Sequence, residues 1–139
     1  MPQYKAPLRD VRFLLNEVFD YPAHYAQLPS AEDAILEGCA TFCEEVLAPL
    51  NLSGDQEGCT IADGEVTTPK GFKEAYAEYV AGGWQGLSHP KEYGGQELPM
   101  SLNMLKAEMM GTANWSFTMY PGLSLGCMNT VYQFGNTEQ

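Results

Sequence analysis

Apolar residues recur at the spacing of an α-helix through most of this chain, and that period constrains the fold more than any other feature. Its clearest instance lies between Ser30 and Pro49, where Ser30 is a good N-cap and Glu32 and Asp33 suit the positive end of the helix dipole. One apolar stripe follows, made of Ile35, Cys39, Phe42, Cys43, Val46 and Leu47. Because proline disfavours helix in the residue before it, we predict that this helix ends near Leu47.

Three more segments show the same period and predict helices. The first covers residues 7–20, the second runs from Thr68 and Pro69 to the glycines at 82 and 83, and the third runs from Pro99 to a break over residues 111–114. Their predicted buried positions are Leu8, Val11, Leu15 and Val18 in the first, Phe72, Ala75, Tyr76, Tyr79 and Val80 in the second, and Leu102, Leu105 and Met109 in the third.

The remaining segments complete an all-α prediction. Residues 115–134 are apolar on nearly every side and contain Pro121, so they form either one kinked helix or two, closed by Gly135 and Asn136. Residues 51–68 read as a long polar connection in which Asp63 and Gly64 suit a hairpin turn. We therefore expect a helical bundle of about five to six helices with almost no strand.

The charge of the chain excludes several classes of partner. Eighteen acidic residues against seven basic ones give a net charge of −11, whereas nucleic acids and anionic membranes are bound through basic patches. No apolar run reaches the roughly 20 residues of a membrane-spanning helix, and the opening residues lack the apolar core of a secretory signal. We expect a cytoplasmic protein with a solvated acidic surface and no membrane span.

The cysteines and histidines predict no metal site. Cys39 and Cys43 are spaced i, i+4 on the apolar stripe of their helix, which favours small buried thiols. A zinc site would need a second pair of ligands at suitable spacing, and neither His24 nor His89 supplies one.

The stretch HPKEYGGQELP, residues 89–99, cannot be helical, yet it lies between two amphipathic segments. Gly94 and Gly95 allow a sharp reversal because glycine accepts positive φ without steric cost. We expect Tyr93 and Leu98 to anchor this connector on the core, so that it sets how the flanking helices pack.

The order of these pieces resembles the N-terminal helical region of the acyl-CoA dehydrogenase family. In that family a helix ending in glycine is followed by a short apolar step, an acidic residue before Tyr-Gly-Gly, and two helices, the second closing at Phe-Gly before a Glu-Gln pair. The matching residues here are Gly82, Gly83, Leu87, Pro90, Glu92, Tyr93, Gly94, Gly95, Leu98, Phe134, Gly135, Glu138 and Gln139. The resemblance covers residues 30–139, and residues 1–29 look like the N-terminal extension, with a short helix, of a subgroup of larger bacterial members.

This resemblance implies an enzyme that uses FAD and a carboxylate base to dehydrogenate acyl-CoA thioesters at the α and β carbons. In the family the base is a glutamate of a C-terminal helical domain, and FAD lies mostly between that domain and a middle β-domain. We expect both domains to be absent from this chain, which would then be inactive alone and contain no catalytic residue. Its cofactor-binding residues stay unknown. The resemblance also implies an electron-transfer partner and a homo-oligomer for the full-length enzyme.

One contribution to the substrate site can be assigned by the same resemblance. The last apolar helix of the family's N-terminal region helps to wall the acyl end of the cavity, and the matching stretch is residues 117–128. Its candidate substrate-binding residues are Met119, Tyr120, Leu123 and Leu125. Ordinary core packing is the competing explanation for each of them. The acidic residues Glu44, Glu45, Glu92 and Glu97 are expected on the solvent face or in a turn rather than in catalysis.

An alternative function is a free-standing helical adaptor that binds another protein. The helix predicted from Pro99 is partly apolar on both faces, because it contains Met100, Met104, Met109 and Met110. Such a helix fits burial against another domain or protein.

Overall fold

The computed structural model describes residues 3–25 and 32–139, and most of them are helical. The helices are α1 (Leu8–Phe13), α2 (Tyr21–His24), α3 (Glu32–Phe42), α4 (Ala48–Glu57), α5 (Phe72–Ala81), α6 (Met100–Ala113) and α7 (Trp115–Phe134). The strands are β1 (Thr60–Ala62) and β2 (Glu65–Thr67). The predicted all-α fold is confirmed. The expected N-cap Ser30 and the predicted boundary between residues 29 and 30 lie outside the described residues.

The N-terminal helix is α1 extended by a π-helical turn over Leu14–Val18. Val11 and Leu15 are buried as predicted, but Val18 is 52% exposed, since the wider π turn changes the phase of the helix. Asp20 then takes the left-handed conformation at φ 47°, which ends this helix and lets α2 start at the next residue.

The helix predicted to start at Ser30 does not end near Leu47, so that prediction is wrong. A π-helical turn over Cys43–Leu47 joins α3 directly to α4, so helical structure continues to Glu57. Pro49 lies in the first turn of α4, inside this continuous helical stretch, and because it has no N–H it cannot donate to the carbonyl one turn before it. The first seven residues of the predicted connection, 51–57, are therefore helical.

The rest of that connection is the predicted hairpin. β1 and β2 pair antiparallel, with Ile61 opposite Val66, and the turn residues Asp63 and Gly64 both have positive φ, as a tight hairpin turn requires. The next helix starts at Phe72 rather than after Thr68, because Gly71 at φ 88° interrupts the chain just before it. Helix α5 buries Phe72, Ala75 and Tyr79, but Val80 is 52% exposed, contrary to the prediction.

The core is an aromatic cluster centred on Phe117, which is fully buried. Its ring contacts the rings of Phe42 from α3 and of Phe72 and Tyr79 from α5, at centroid distances of 6.0–6.3 Å. Helix α6 adds the buried Leu102 and Met109 and the half-buried Leu105. Cys39 and Cys43 are buried thiols, as predicted.

A single extended residue, Asn114, separates α6 from α7. Helix α6 continues past the predicted break at Gly111 to Ala113, and α7 is one helix that runs through Pro121. The Asn114 side chain caps α7 by accepting from the Phe117 N–H at 3.0 Å, and its Nδ2 donates to the Leu47 carbonyl at 3.1 Å. Within the described ranges, every helix is too short or too polar to cross a membrane.

Candidate functional site

Helix α7 presents an apolar surface that the rest of the described chain leaves uncovered. Met119 and Leu123 are one helical turn apart on this surface and are 50% and 73% exposed. Phe117 and Pro121 lie on the opposite, buried side of the helix. Met119 and Leu123 therefore face away from the core.

The four predicted substrate-binding residues do not form one cluster. Met119 and Leu123 belong to the exposed surface, whereas Tyr120 turns its ring edge-on to Phe72 at 6.2 Å and to Phe117 at 6.4 Å. Leu125 is half-buried. Packing against the core therefore explains part of the role of the Tyr120 side chain. It does not explain why Met119 and Leu123 are apolar, since both are exposed.

The connector over residues 89–99 is tied by hydrogen bonds to the chain just before it. The Leu98 N–H donates to the Leu87 carbonyl at 3.0 Å, and the Gln96 N–H donates to the Gly86 carbonyl at 2.9 Å. Leu98 packs against the core as predicted. The prediction for Tyr93 is wrong: it is 71% exposed and meets Tyr132 at 6.0 Å, because its neighbour is the exposed C-terminal half of α7 rather than the core.

Gln85, one of two polar residues beside the connector that the sequence analysis missed, lies in the short 3₁₀ turn Trp84–Gly86. Its Nε2 donates to the Pro121 carbonyl of α7 at 3.4 Å. Its Oε1 is buried and has no hydrogen-bond partner among the described residues. No sequence signal marks this residue, since an isolated glutamine between glycines reads as surface loop.

Lys106 is the second such residue. It is only 5% exposed, and its Nζ donates to the Trp84 carbonyl at 2.8 Å and to the Tyr79 hydroxyl at 3.4 Å. Burial disfavours the charged ammonium and lowers the pKa of Lys106 to about 8. Its position could have revealed it, because Lys106 is four residues after Leu102 and three before Met109, on the buried stripe of α6.

The acidic residues show no catalytic arrangement. Glu44 is half-buried rather than on the solvent face, because it accepts the Ala6 N–H at 3.0 Å and pairs with Lys5, and this hydrogen bond to Lys5 lowers the pKa of Glu44. Glu45, Glu92 and Glu97 are exposed. Among residues 3–25 and 32–139, no group of His, Cys, Asp and Glu is arranged to hold a metal ion.

The described residues do not form a dinucleotide site of the usual kind. A dinucleotide site of the usual kind needs a parallel strand, a glycine-rich turn and a helix in succession. The sheet in the described part of the chain is a two-stranded antiparallel hairpin whose strands are exposed throughout.

A shallow groove of about 380 Å³ lies between α3 and α5. Phe42, Val46 and Trp84 line it together with the carboxylates Glu45 and Glu78. None of the four predicted substrate-binding residues lines it, so it is separate from the surface of α7.

Comparison with known proteins identifies the class to which this helical domain belongs. The sequence profile of the acyl-CoA dehydrogenase N-terminal domain matches residues 29–139. The chain belongs to the acyl-CoA dehydrogenase family, and its helices from α3 to α7 lie in the N-terminal domain of that family.

Two curated relatives are similar along nearly the whole chain. The chain is 36% identical to 3-methylmercaptopropionyl-CoA dehydrogenase of Ruegeria pomeroyi and 28% identical to butyryl-CoA dehydrogenase of Syntrophomonas wolfei, over 98% of the chain in each case. It spans 24% of the length of each relative. The expected resemblance to the extended subgroup, which includes 3-methylmercaptopropionyl-CoA dehydrogenases, is confirmed.

Proposed function

We propose that this chain serves as the N-terminal domain of an FAD-dependent acyl-CoA dehydrogenase, which introduces a double bond between the α and β carbons of an acyl-CoA thioester. The observation that carries the proposal is the family match over residues 29–139. The two relatives, both named as acyl-CoA dehydrogenases, support it, and each is about four times as long as this chain.

The chemistry of such an enzyme is divided between parts of the polypeptide. In such an enzyme a flavin would supply the acceptor for the hydride of the β carbon, and a carboxylate would supply the base for the α-proton. We assign both to polypeptide other than this chain, because the described residues form neither a flavin site nor a catalytic carboxylate arrangement. The chain alone is then inactive.

The role of this chain is to wall the acyl end of the substrate cavity. Met119 and Leu123 are the residues with most to contribute, since they are apolar, exposed and adjacent on α7. Tyr120 and Leu125 flank them at the edge of the core. A methionine and leucines suit this task because they exclude water and fit the irregular shape of an acyl chain.

The setting of the enzyme follows from the same proposal. We place it in the cytoplasm, as a homo-oligomer that passes its electrons to a separate electron-transfer partner. Its acidic surface, with a net charge of −11 on this chain, favours an approach by partners with basic surfaces.

Spectroscopy and a dye-reduction assay test the proposal. The chain alone and the complete product of its gene are purified, and their flavin absorbance and acyl-CoA-dependent reduction of an electron-accepting dye are measured. We expect a colourless, inactive chain and a yellow, active complete product. A stoichiometric flavin on the chain alone, or a complete product that ignores acyl-CoA, would contradict the proposal.

The second candidate function is the free-standing helical adaptor. It is favoured by exposed apolar residues on two helices, Met100 and Met104 of α6 and Leu123 and Phe134 of α7, which would suit a protein partner. The extent of the gene discriminates the two functions. A product that ends near residue 139 favours the adaptor, and one that continues into a β-rich segment favours the enzyme.

A further inference from the structure

Helix α7 has a weak point at the place where the proposed pocket wall begins. Pro121 has no N–H, so the carbonyl of Phe117 has no donor at the usual i+4 position. Phe117 is fully buried in the aromatic core, whereas Leu123 and the following turns of α7 are largely exposed. The direction of α7 beyond Pro121 therefore depends on contacts made at the proline itself.

Gln85 provides such a contact from outside the helix. Its Nε2 donates to the Pro121 carbonyl at 3.4 Å, across 36 positions of sequence. In sequence, Pro121 lies two residues after Met119 and two before Leu123, the two exposed residues of the proposed wall, although its own side chain is on the buried side of the helix. A glutamine in the turn after α5 thus holds the middle of α7.

Lys106 fixes the turn that carries Gln85. Its Nζ donates to the carbonyl of Trp84, the residue immediately before Gln85, at 2.8 Å. The same ammonium donates to the Tyr79 hydroxyl of α5 and lies 5.7 Å from the centre of that ring. Because burying an ammonium is costly unless it is hydrogen-bonded, these bonds hold the turn firmly against α5 and α6.

We propose that Lys106 and Gln85 form a clamp that fixes the course of α7 beyond Pro121 and thereby sets the length of acyl chain that the pocket accepts. The inference rests on the proposed function for its substrate, and on the contacts above for the clamp. Lys106 and Gln85 are positioning residues, since neither touches the acyl chain. Loosening the clamp frees the wall to move outward and admits longer acyl chains.

Two measurements on the complete product of the gene test the clamp. The variants are Gln85→Leu, the milder Gln85→Asn, which shortens the side chain by one methylene, and Lys106→Met, which keeps the stem but removes the ammonium. Gln96→Met is the matched control, because the Gln96 side chain donates to the Gly83 carbonyl at 3.0 Å rather than to α7. Circular dichroism first establishes which variants are folded.

Amide hydrogen exchange measures the effect of the clamp on α7 without depending on enzyme activity. We expect amides of residues 122–134 to exchange about fivefold faster in Gln85→Leu and Lys106→Met, the factor that corresponds to losing one ordinary hydrogen bond. Amides of α3 and α4 should keep their rates, and Gln96→Met should match the wild type. Unchanged exchange in folded Gln85→Leu would overturn the inference.

Assays with a series of straight-chain acyl-CoA thioesters measure the chain length that the pocket accepts. We expect the ratio of kcat/KM for long over short chains to rise about tenfold in Gln85→Leu, a typical effect of changed space in an apolar pocket. A shift in hydrogen exchange with an unchanged chain-length profile would overturn the length-setting role. A wild-type enzyme inactive on every thioester would refute the proposed function instead, and exchange alone would then decide whether the clamp exists.

Discussion

The burial of Lys106 carries a cost that depends on pH. In the part of the chain that the structure describes, no carboxylate lies within ion-pair distance of its ammonium. The pKa of Lys106 is lowered from 10.5 to about 8, so between these values the unfolded chain holds a proton that the folded chain has released. Stability contributed by this group therefore rises with pH across that window.

Lys106→Met should expose this dependence. The methionine variant carries no such cost, so we expect its stability relative to the wild type to fall by roughly 2 kcal/mol between about pH 7 and pH 10. Urea denaturation at the two pH values measures the change. A hydrogen bond with Cys39 and burial raise the pKa of Cys43, which lowers stability at high pH, but both proteins share that effect. A difference that is independent of pH would show that Lys106 is solvated.

Gly95 is required by a close approach of two backbone segments. A Cβ at this position would lie 2.0 Å from the carbonyl oxygen of His89, on the opposite side of the connector. Since that oxygen accepts the Glu97 N–H at 2.9 Å, it cannot move away without breaking the turn. Gly95, the second glycine of the Tyr-Gly-Gly sequence, is therefore required because any side chain there would clash with the backbone.

Gly95→Ala should destabilise the protein by about 2–4 kcal/mol, because the clash is with backbone rather than with a flexible side chain. Gly122→Ala is the control: its Cβ would meet nothing within 4 Å, and alanine in a helix interior gains about 0.5–1 kcal/mol. Thermal unfolding of both variants gives the comparison. Equal melting temperatures for the two would contradict the close approach.

At the scale of elements, Asn114 joins three helices. It caps α7 and, through Nδ2, satisfies the Leu47 carbonyl at the end of the π-helical turn that joins α3 to α4. Asn114 is 1% exposed, so water cannot replace either bond. The junction between α6 and α7 is therefore hydrogen-bonded to the π-helical turn that joins α3 to α4.

Asn114→Ala should cost about 2–3 kcal/mol, the sum of a lost N-cap and a buried carbonyl left without a donor. Asn114→Ser keeps a capping oxygen but cannot reach Leu47, so we expect about half of that loss. Chemical denaturation measures both. A serine variant as stable as the wild type would show that the bond to Leu47 contributes nothing.

The elements themselves were largely predictable, and two of the failures have a common cause. Periodicity located α5 and α6, the apolar stretch from Trp115 located α7, and the Asp63-Gly64 pair located the hairpin, because these signals are local. The π-helical turns are set by packing rather than by local propensity, so Val18 was assigned to the wrong face and Pro49 was taken for a helix end. The bond from Asn114 to Leu47 spans 67 positions and has no sequence signature.

The sequence pointed to a candidate site on α7 but not to the exposure of its side chains. The family resemblance indicated α7 and its four side chains, and their role in substrate binding stays a prediction. Which of them face outward depends on how Phe117 and Pro121 enter the core, and Pro121 obscures that in the sequence. Gln85 and Lys106 act through long-range contacts to backbone carbonyls, which a sequence pattern does not contain.

At the scale of the whole molecule, the described residues leave an apolar surface exposed, and under the proposed function neighbouring domains would cover it. Met119, Leu123, Tyr132 and Phe134 of α7 are each at least half exposed, and Tyr93 of the connector adjoins Tyr132. If residues of α7 wall a substrate cavity, two kinds of cover are expected there: neighbouring domains and the acyl chain. The exposed methionines of α6, Met100 and Met104, would be covered by domains alone.

Methionine oxidation can separate these two kinds of cover. Met119 and Met104 are 50% and 62% exposed in this chain, whereas Met109 and Met110 are 2% exposed and serve as buried references. We expect peroxide to oxidise Met119 about tenfold more slowly in the complete gene product than in the chain alone. Adding an acyl-CoA should slow Met119 further and leave Met104 unchanged, because only Met119 lies on the proposed wall. Mass spectrometry of the peptides gives both rates, and protection of Met119 that does not respond to acyl-CoA would make this surface a domain contact instead of a pocket wall.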